Sequence, residues 1–273
     1  MATLNPRQQS LVQMARERGY VRVDELVEWL GVTHQTVRRD INYLCEHGIL
    51  SRFHGGAAFR SSVTNLPYEA RRDSMADEKV AIAKAVAAEI PDHSSIFIDI
   101  GTTAEAFAAE LLEKNGLKIV TNNLNVVNIL AKKDDFELVV CGGTVRNRDL
   151  AIVGETTREF IDRFRLDYAI LGVVAIAADG SVLDFSLDDA PFTQAVIGCS
   201  RVCFVLADHT KFGRHAMAKV AHLSQVAALY TDVLPNGDWA SQLADAGVTI
   251  RVAPRPLAAE ATPASDIPER HVS

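Results

Sequence analysis

The chain has 273 residues, enough for two domains, and an apolar content of 48%, ample for packed cores. No apolar run reaches the length that spans a bilayer, and the opening Met-Ala-Thr-Leu-Asn-Pro-Arg lacks a signal-peptide pattern, so a soluble, cytoplasmic protein without a membrane partner is expected. The net charge of −7 argues against nucleic acid only until it is divided along the chain. Residues 1–60 hold eight Arg, no Lys and six Asp plus Glu, a net of +2, and leave −9 for the remainder. A weakly basic head on an acidic body confines any contact with DNA to the head. Four cysteines, at 45, 141, 199 and 203, have no zinc-type spacing. Reduced structural thiols are expected, with no metal and no cofactor.

Pro6 to Arg18 reads as a first helix with Leu11, Met14 and Ala15 on its inner face, stopped by Gly19. Asp24 to Leu30 reads as a second, buried through Leu26, Val27 and Leu30 and capped by Asp24. Gly31-Val32 makes the turn, and Thr33 caps a third helix that Gly48 ends. Residues 33–47 divide into two helical faces. Val37, Ile41, Leu44 and Cys45 fall at i, i+4, i+7 and i+8 and form an apolar stripe. Gln35, Arg38, Arg39, Asn42 and Glu46 cluster opposite. Adjacent arginines flanked by amides suit a major groove, because Arg grips guanine bidentately and Gln or Asn grips adenine. Charge runs are more often plain solvated faces; here the local positive charge and the helix–Gly–helix spacing favour DNA.

Ile49 to Phe59 reads as two short strands around a Gly-Gly turn, a wing with Arg52 and His54 near its tip. The DNA-contacting set is therefore Thr33, Gln35, Thr36, Arg38, Arg39 and Asn42 from the helix, with Arg52, His54 and Gly55 from the wing. Arg38 and Arg39 are equally suited to phosphates. Residues 1–59 are expected to be a winged helix-turn-helix domain (helix-turn-helix about 20–47, wing 49–59), and the polar stretch 60–76 an irregular linker.

Beyond it, strands and helices alternate through residues 77–253, opening with a helix from Glu78 to Ile90. Strand-like runs are Ile96–Ile100, Leu117–Thr121, Phe136–Val140, Leu166–Val174, Val202–Ala207 and Ala228–Thr231, with an edge strand at Val248–Val252. Helix-like runs are Ala104–Leu112, Leu124–Lys132, Thr156–Phe164, Phe192–Cys199 and Asp238–Ala246. Short apolar strands separated by helices predict an α/β, Rossmann-like, mostly parallel sheet covered on both faces. Residues 254–273, rich in Pro and Ala, read as a disordered tail.

Such sheets bind ligands at the loops beyond the carboxyl ends of their strands. Asp99-Ile100-Gly101-Thr102-Thr103 opens a helix, and a glycine, two hydroxyls and a helix N-terminus favour a phosphate. Thr121-Asn122-Asn123, Cys141-Gly142-Gly143-Thr144 and Asp208-His209-Thr210-Lys211 end later strands, with Lys211 placed to neutralise an anion. Each loop alone is more often a turn or a cap. Together they make a polyanion pocket the better reading, with Asp99, Gly101, Thr102, Thr103, Thr121, Asn122, Asn123, Gly142, Gly143, Asp208 and Lys211 as its residues.

Residues 7–59, through the string Val32-Thr-His-Gln-Thr-Val-Arg-Arg-Asp-Ile-Asn-Tyr-Leu44 and Leu50-Ser-Arg-Phe-His-Gly-Gly-Ala57, resemble the DNA-binding domain of the DeoR family of bacterial repressors. Residues 78–232 resemble the sensor domain of the same family, which is similar to ribose-5-phosphate isomerase; Ile98–Thr103, Val120–Val126, Gly142-Gly143, Val153-Gly154-Glu155 and Ala207–Arg214 carry the likeness. The resemblance implies a homo-oligomeric repressor that binds operator DNA and is released by a phosphorylated inducer, glycerol 3-phosphate or a sugar phosphate. One departure is that Thr193 and Gln194 stand where the family usually has a basic residue, beside Asp188 and Asp189. An isomerase would need a carboxylate base. The similar isomerases place acids after the strand matching Leu166–Leu171, where this chain has Gly172-Val-Val-Ala175. An isomerase-like enzyme, or a DNA-binding regulator with no ligand, are the alternatives to a repressor without catalytic residues.

Overall fold

A computed structural model describes residues 4–53, 55–59 and 66–254. In the head, helix α1 (Pro6–Arg18) is followed by strand β1 (Tyr20–Arg22), helices α2 (Val23–Leu30) and α3 (His34–Glu46), and strands β2 (Leu50–Phe53) and β3 (Gly56–Phe59). The wing sheet has three strands in the order β1-β3-β2, all antiparallel. The expected hairpin is thus joined by a third strand, β1, which precedes α2. Three residues are too few to show a strand period. The α2 start also differs: Arg22 is the N-cap, with no side-chain cap bond, and Asp24 sits in the first turn, where its charge favours the helix dipole. Leu11, Met14, Ala15, Val21, Leu26, Val37, Ile41 and Leu44 form one buried cluster, so the apolar stripe of α3 faces the head's core.

The polar stretch after the wing is not irregular over its whole length: Tyr68–Asp73 is a helix, α4, and α5 begins at Ala76 and runs to Ala87. Residues 60–65 of the expected linker and 255–273 of the expected tail lie outside the described residues.

The body is built on β4 (Ser95–Ile98), β5 (Lys118–Thr121) and β6 (Glu137–Val140), with helices α6 (Thr102–Glu110) and α7 (Leu124–Leu130) between them. A hairpin of β7 (Thr144–Arg146) and β8 (Ala151–Val153) leads into helix α8 (Glu155–Ile161) and strand β9 (Leu166–Gly172). The short strands β10 (Ala175–Ile176) and β11 (Ser181–Asp184) precede helix α9 (Ala190–Cys199), strand β12 (Ser200–Leu206) and strand β13 (Ala218–His222). The described chain closes with β14 (Ala228–Thr231), helix α10 (Trp239–Asp245) and β15 (Ile250–Val252).

Seven strands form one parallel sheet in the order β15-β14-β12-β9-β4-β5-β6, covered by apolar clusters on both faces. The expected edge strand is present, shortened to three residues. Two features were not anticipated: the β7–β8 hairpin and a small antiparallel sheet ordered β10-β11-β13. The chain moves outward from β4 to β6, then returns to the other side of β4 with β9. The order therefore reverses between β4 and β9, and a crevice opens beyond their carboxyl ends. Cys141, Cys199 and Cys203 are buried free thiols; burial pushes Cys141 up to about 12 and Cys203 to about 11, which suppresses the reactive thiolate.

Candidate functional site

The first candidate face is on α3. Thr33 is its N-cap and accepts from the Thr36 amide at 3.3 Å. Gln35, Arg38 and Arg39 are exposed, and Asn42 is half-buried on the same side. Arg52 of β2 donates through Nη1 to Asn42 Oδ1, so the wing strand and the helix present one continuous polar surface. Gly55 lies in the wing turn, and His54 is outside the described residues. The helix backs onto the core through a carboxylate that periodicity did not single out. Asp40 is buried and receives bonds from Arg7 and Gln8 of α1.

The second is the crevice between β4 and β9. Of the residues expected there, Asp99, Gly101, Thr102, Thr103, Asn122 and Lys211 line it. Gly101 has a φ of 119° and is the N-cap of α6; that left-handed backbone is open to glycine and strained for a side chain. The turn leaves the first amides of α6 without helical partners at the crevice wall.

The other expected residues do not line it. Thr121 is fully buried, donating to the Ile98 carbonyl at 2.6 Å and accepting from the Asn123 amide at 3.0 Å. Asn123 caps α7 through the Asn125 amide and donates to Glu105. Gly142 offers its carbonyl to Thr157 Oγ1, and a Cβ on Gly143 would meet that same oxygen at 2.2 Å, so this pair of glycines serves a close approach to α8. Asp208 is buried behind Lys211, 3.8 Å from its Nζ, and accepts from the Thr210 amide. These five differ from the expectation in that they lie behind the lining, engaged in caps, turns and packing. Hydroxyls, amides and glycines after a strand serve caps and turns as readily as ligands, and sequence does not distinguish the two.

Several lining residues were not anticipated. Arg71 reaches in from α4, Arg146 from β7, Arg214 from beyond β12, and Asp184 and Asp189 from the segment leading into α9. Arg146 grips Asp149 through two bonds of 2.9 and 3.0 Å and lies 3.5 Å from Asp189. Arg71 stands 3.8 Å from Asp149, and Arg214 stacks 5.1 Å from the Phe185 ring centroid. Burial lowers the pKa of Arg71, Lys211 and Arg214 against the raising effect of nearby carboxylates, the mark of cations short of solvation. Thr193 lines the crevice and donates to the Asp189 carbonyl, while Gln194 donates to the Val220 carbonyl, so neither supplies the charge of the absent basic residue.

Carboxylates are interleaved with these cations, Asp99, Asp184, Asp188 and Asp189 lining the same crevice. Burial, then the charges of Asp189 and Asp184, push Asp99 up to about 7, against the lowering effect of the Ile100 and Gly172 amides. The Oδ1 of Asn122, in a side chain only 3% exposed, has no hydrogen-bond partner among the described residues. The crevice thus combines cations suited to an anion with acceptors suited to hydroxyls. Among the described residues no group of His, Cys, Asp and Glu is arranged to hold a metal ion, and no helix is long and apolar enough to cross a membrane.

Comparison with known proteins agrees with both regions. The DeoR-like helix-turn-helix domain matches residues 7–63, and the DeoR C terminal sensor domain matches residues 74–233. The chain is 46% identical over 229 residues to the glycerol-3-phosphate regulon repressor of Escherichia coli K12, covering 84% of this chain and 91% of that one. It is 44% identical over 248 residues to the HTH-type transcriptional repressor CsqR of the same organism, covering 91% and 95%. Ribose 5-phosphate isomerase A of Methanocaldococcus jannaschii aligns at 17% identity with a TM-score of 0.38, over 52% of this chain and 56% of that one, a likeness too slight to bear on function. With one domain profile spanning more than half its length and a second covering its head, this chain belongs to the DeoR family of helix-turn-helix regulators.

Proposed function

We propose that this chain is a transcriptional repressor of a carbohydrate or glycerol catabolic operon, bound to operator DNA through α3 and the wing and released by a phosphorylated metabolite seated in the β4–β9 crevice. The DNA-binding head and the named repressors it resembles over most of their length place it with regulators rather than enzymes. The observation that carries the effector reading is that Arg71, Lys211 and Arg214, all held short of solvation, line one crevice together with the first residues of α6. Three cations and a helix N-terminus in one crevice suit a phosphate. Asp99, Asp184 and the unpartnered Asn122 carbonyl suit the hydroxyls of the attached carbon chain. Glycerol 3-phosphate and small sugar phosphates have both parts.

The protein acts in the cytoplasm as a homo-oligomer, because one head offers a single recognition helix while two heads about 34 Å apart meet successive turns of the groove. The acidic body keeps non-specific contact with DNA low. Calorimetric titration against glycerol 3-phosphate and a panel of sugar phosphates, paired with a promoter footprint with and without each compound, tests the proposal. Saturable binding that releases the footprint supports it; binding of none of the panel rejects the effector reading, and failure to bind any promoter fragment at low salt rejects the repressor reading.

A further inference from the structure

Helix α4 is the first described element after the head and packs at the rim of the crevice. Its attachments to the body are few. Tyr68 donates its hydroxyl to Glu105 Oε2 at 2.7 Å. The buried Nζ of Lys79 donates to the carbonyls of Arg71 and Ser74 at the carboxyl end of α4, where helix carbonyls lack amide partners. Thr102, the first residue of α6, donates Oγ1–H to the Arg71 carbonyl at 3.4 Å. The Arg71 guanidinium projects into the crevice, donating Nε–H to the Leu66 carbonyl and facing Asp149 at 3.8 Å. Arg71 is therefore tied through its backbone to the Thr102 hydroxyl of the anion seat and lines that seat with its side chain.

We propose that Arg71 is an effector-anion ligand carried on α4, so that filling the seat draws α4 into a new position and thereby resets the head. The inference rests on the crevice being the effector site. A phosphate at the N-terminus of α6 accepts from Thr102 Oγ1–H and from the Arg71 guanidinium. The two contacts it replaces, at 3.4 and 3.8 Å, are near or beyond the limit of a hydrogen bond, whereas phosphate–guanidinium bonds are short and charge-assisted. Asp149 loses little, because Arg146 already holds it with two bonds. The exchange is thus cheap for the body and changes the position of one helix.

Helix α4 and the head share one crevice wall: Arg18, Phe53 and Phe59 of the head line it together with Tyr68 and Arg71. Tyr20 of β1 has its pKa raised mainly by burial and in smaller part by Glu25 and by Asp73, the last residue of α4, with Arg22 opposing. A shift of α4 moves the Asp73 carboxylate relative to the strand that completes the wing sheet.

Full-length Tyr68→Phe removes one anchor of α4, its bond to Glu105, and leaves Arg71 and Thr102 in place. Its operator affinity without any ligand, measured by fluorescence anisotropy, should fall at least about fivefold, the low end of ordinary allosteric coupling. Its circular dichroism and melting temperature should stay close to the parent. Arg71→Ala should weaken glycerol 3-phosphate binding by about tenfold or more while also lowering ligand-free operator affinity. Hydrogen exchange of residues 68–73 in the parent protein should change when glycerol 3-phosphate is added. Parental operator affinity in both variants, or unaltered exchange in 68–73 while the operator is released, overturns the proposal. If glycerol 3-phosphate leaves the parent on its operator but both variants bind DNA weakly, that compound is wrong as effector and α4 stands as the element that sets the head.

Discussion

Asp40 lies on the buried back of α3, and Arg7 of α1 holds it there: Nε donates to Oδ2 at 2.5 Å and Nη2 to Oδ1 at 3.3 Å. Gln8, itself buried, adds a third bond at 3.2 Å. The DNA-reading helix is thereby fixed to α1 by a polar clamp inside an otherwise apolar cluster. Asp40→Ala strands the buried Gln8 amide, and an unsatisfied buried donor costs about 1–3 kcal/mol. Thermal denaturation should show that loss in the head, and operator affinity should fall although no group facing DNA has changed. A variant with parental melting and binding would show that the clamp is dispensable.

Arg38 and Arg52 are expected to fail differently. Arg38 is exposed on the outward face of α3, where a bidentate contact with guanine is worth about 1–3 kcal/mol. Arg38→Ala should lose that amount on the true operator and relax discrimination at one base position. Arg52 is already engaged with Asn42 in the protein without DNA and sits on the wing strand, which suits a phosphate. Arg52→Ala should weaken all sequences evenly and reduce the salt slope by about one. Titrations of both variants against matched and mutated operators at two salt concentrations separate the roles; identical behaviour would reject the division.

Much of this architecture was legible in the sequence, for reasons particular residues make plain. Val37, Ile41 and Leu44 repeat at helical spacing, and runs such as Ile96-Phe-Ile98 are apolar throughout because parallel strands are covered on both faces. The turn at Gly101–Thr103 that opens α6 was legible because a glycine between strand and helix leaves amides open. What escaped was short or depended on tertiary neighbours. Strands β1 and β10, of three and two residues, carry no period. Helix α4 is short and polar, and tertiary bonds to Glu105, Lys79 and Thr102 fix it to the body. Arg71 and Arg146 gain their meaning from Asp149, Thr102 and Asp189, which the fold brings together.

Lys211 and Asp208 form one unit, and a single substitution is expected to disturb two properties. Asp208 is 1% exposed, and although burial raises its pKa, Lys211, the Thr210 bonds and Lys79 together hold it below the usual carboxylate range. Lys211→Ala leaves that carboxylate with only part of its support; breaking a buried pair costs about 3–5 kcal/mol, and the Thr210 bonds keep the loss near the lower value. The variant should melt earlier and respond poorly to effector. Adding Asp208→Asn should restore melting without restoring the response. Recovery of induction in the double variant would remove Lys211 from the anion site and leave it a purely structural residue.

Asp99 makes a prediction about pH whose sign is fixed by its surroundings. Its carboxyl is pushed up to about 7 by burial first and by Asp189 and Asp184 next, so the folded protein keeps a proton that the unfolded chain releases near 4. The folded state then binds more protons between those values, and stability falls as pH rises through that window. The melting temperature should drop from about pH 5 to pH 8, and Asp99→Asn, which cannot ionise, should flatten the drop and melt higher than the parent at the alkaline end. The same ionisation acts on the ligand. A phosphate ester is already largely dianionic above its second pKa of about 6, so a further rise from pH 7 to pH 8 changes Asp99 more than the ligand. Glycerol 3-phosphate should therefore bind more weakly at pH 8 than at pH 7 in the parent and equally at both in Asp99→Asn. An undiminished slope in the variant, in melting or in binding, would assign the pH dependence to another group.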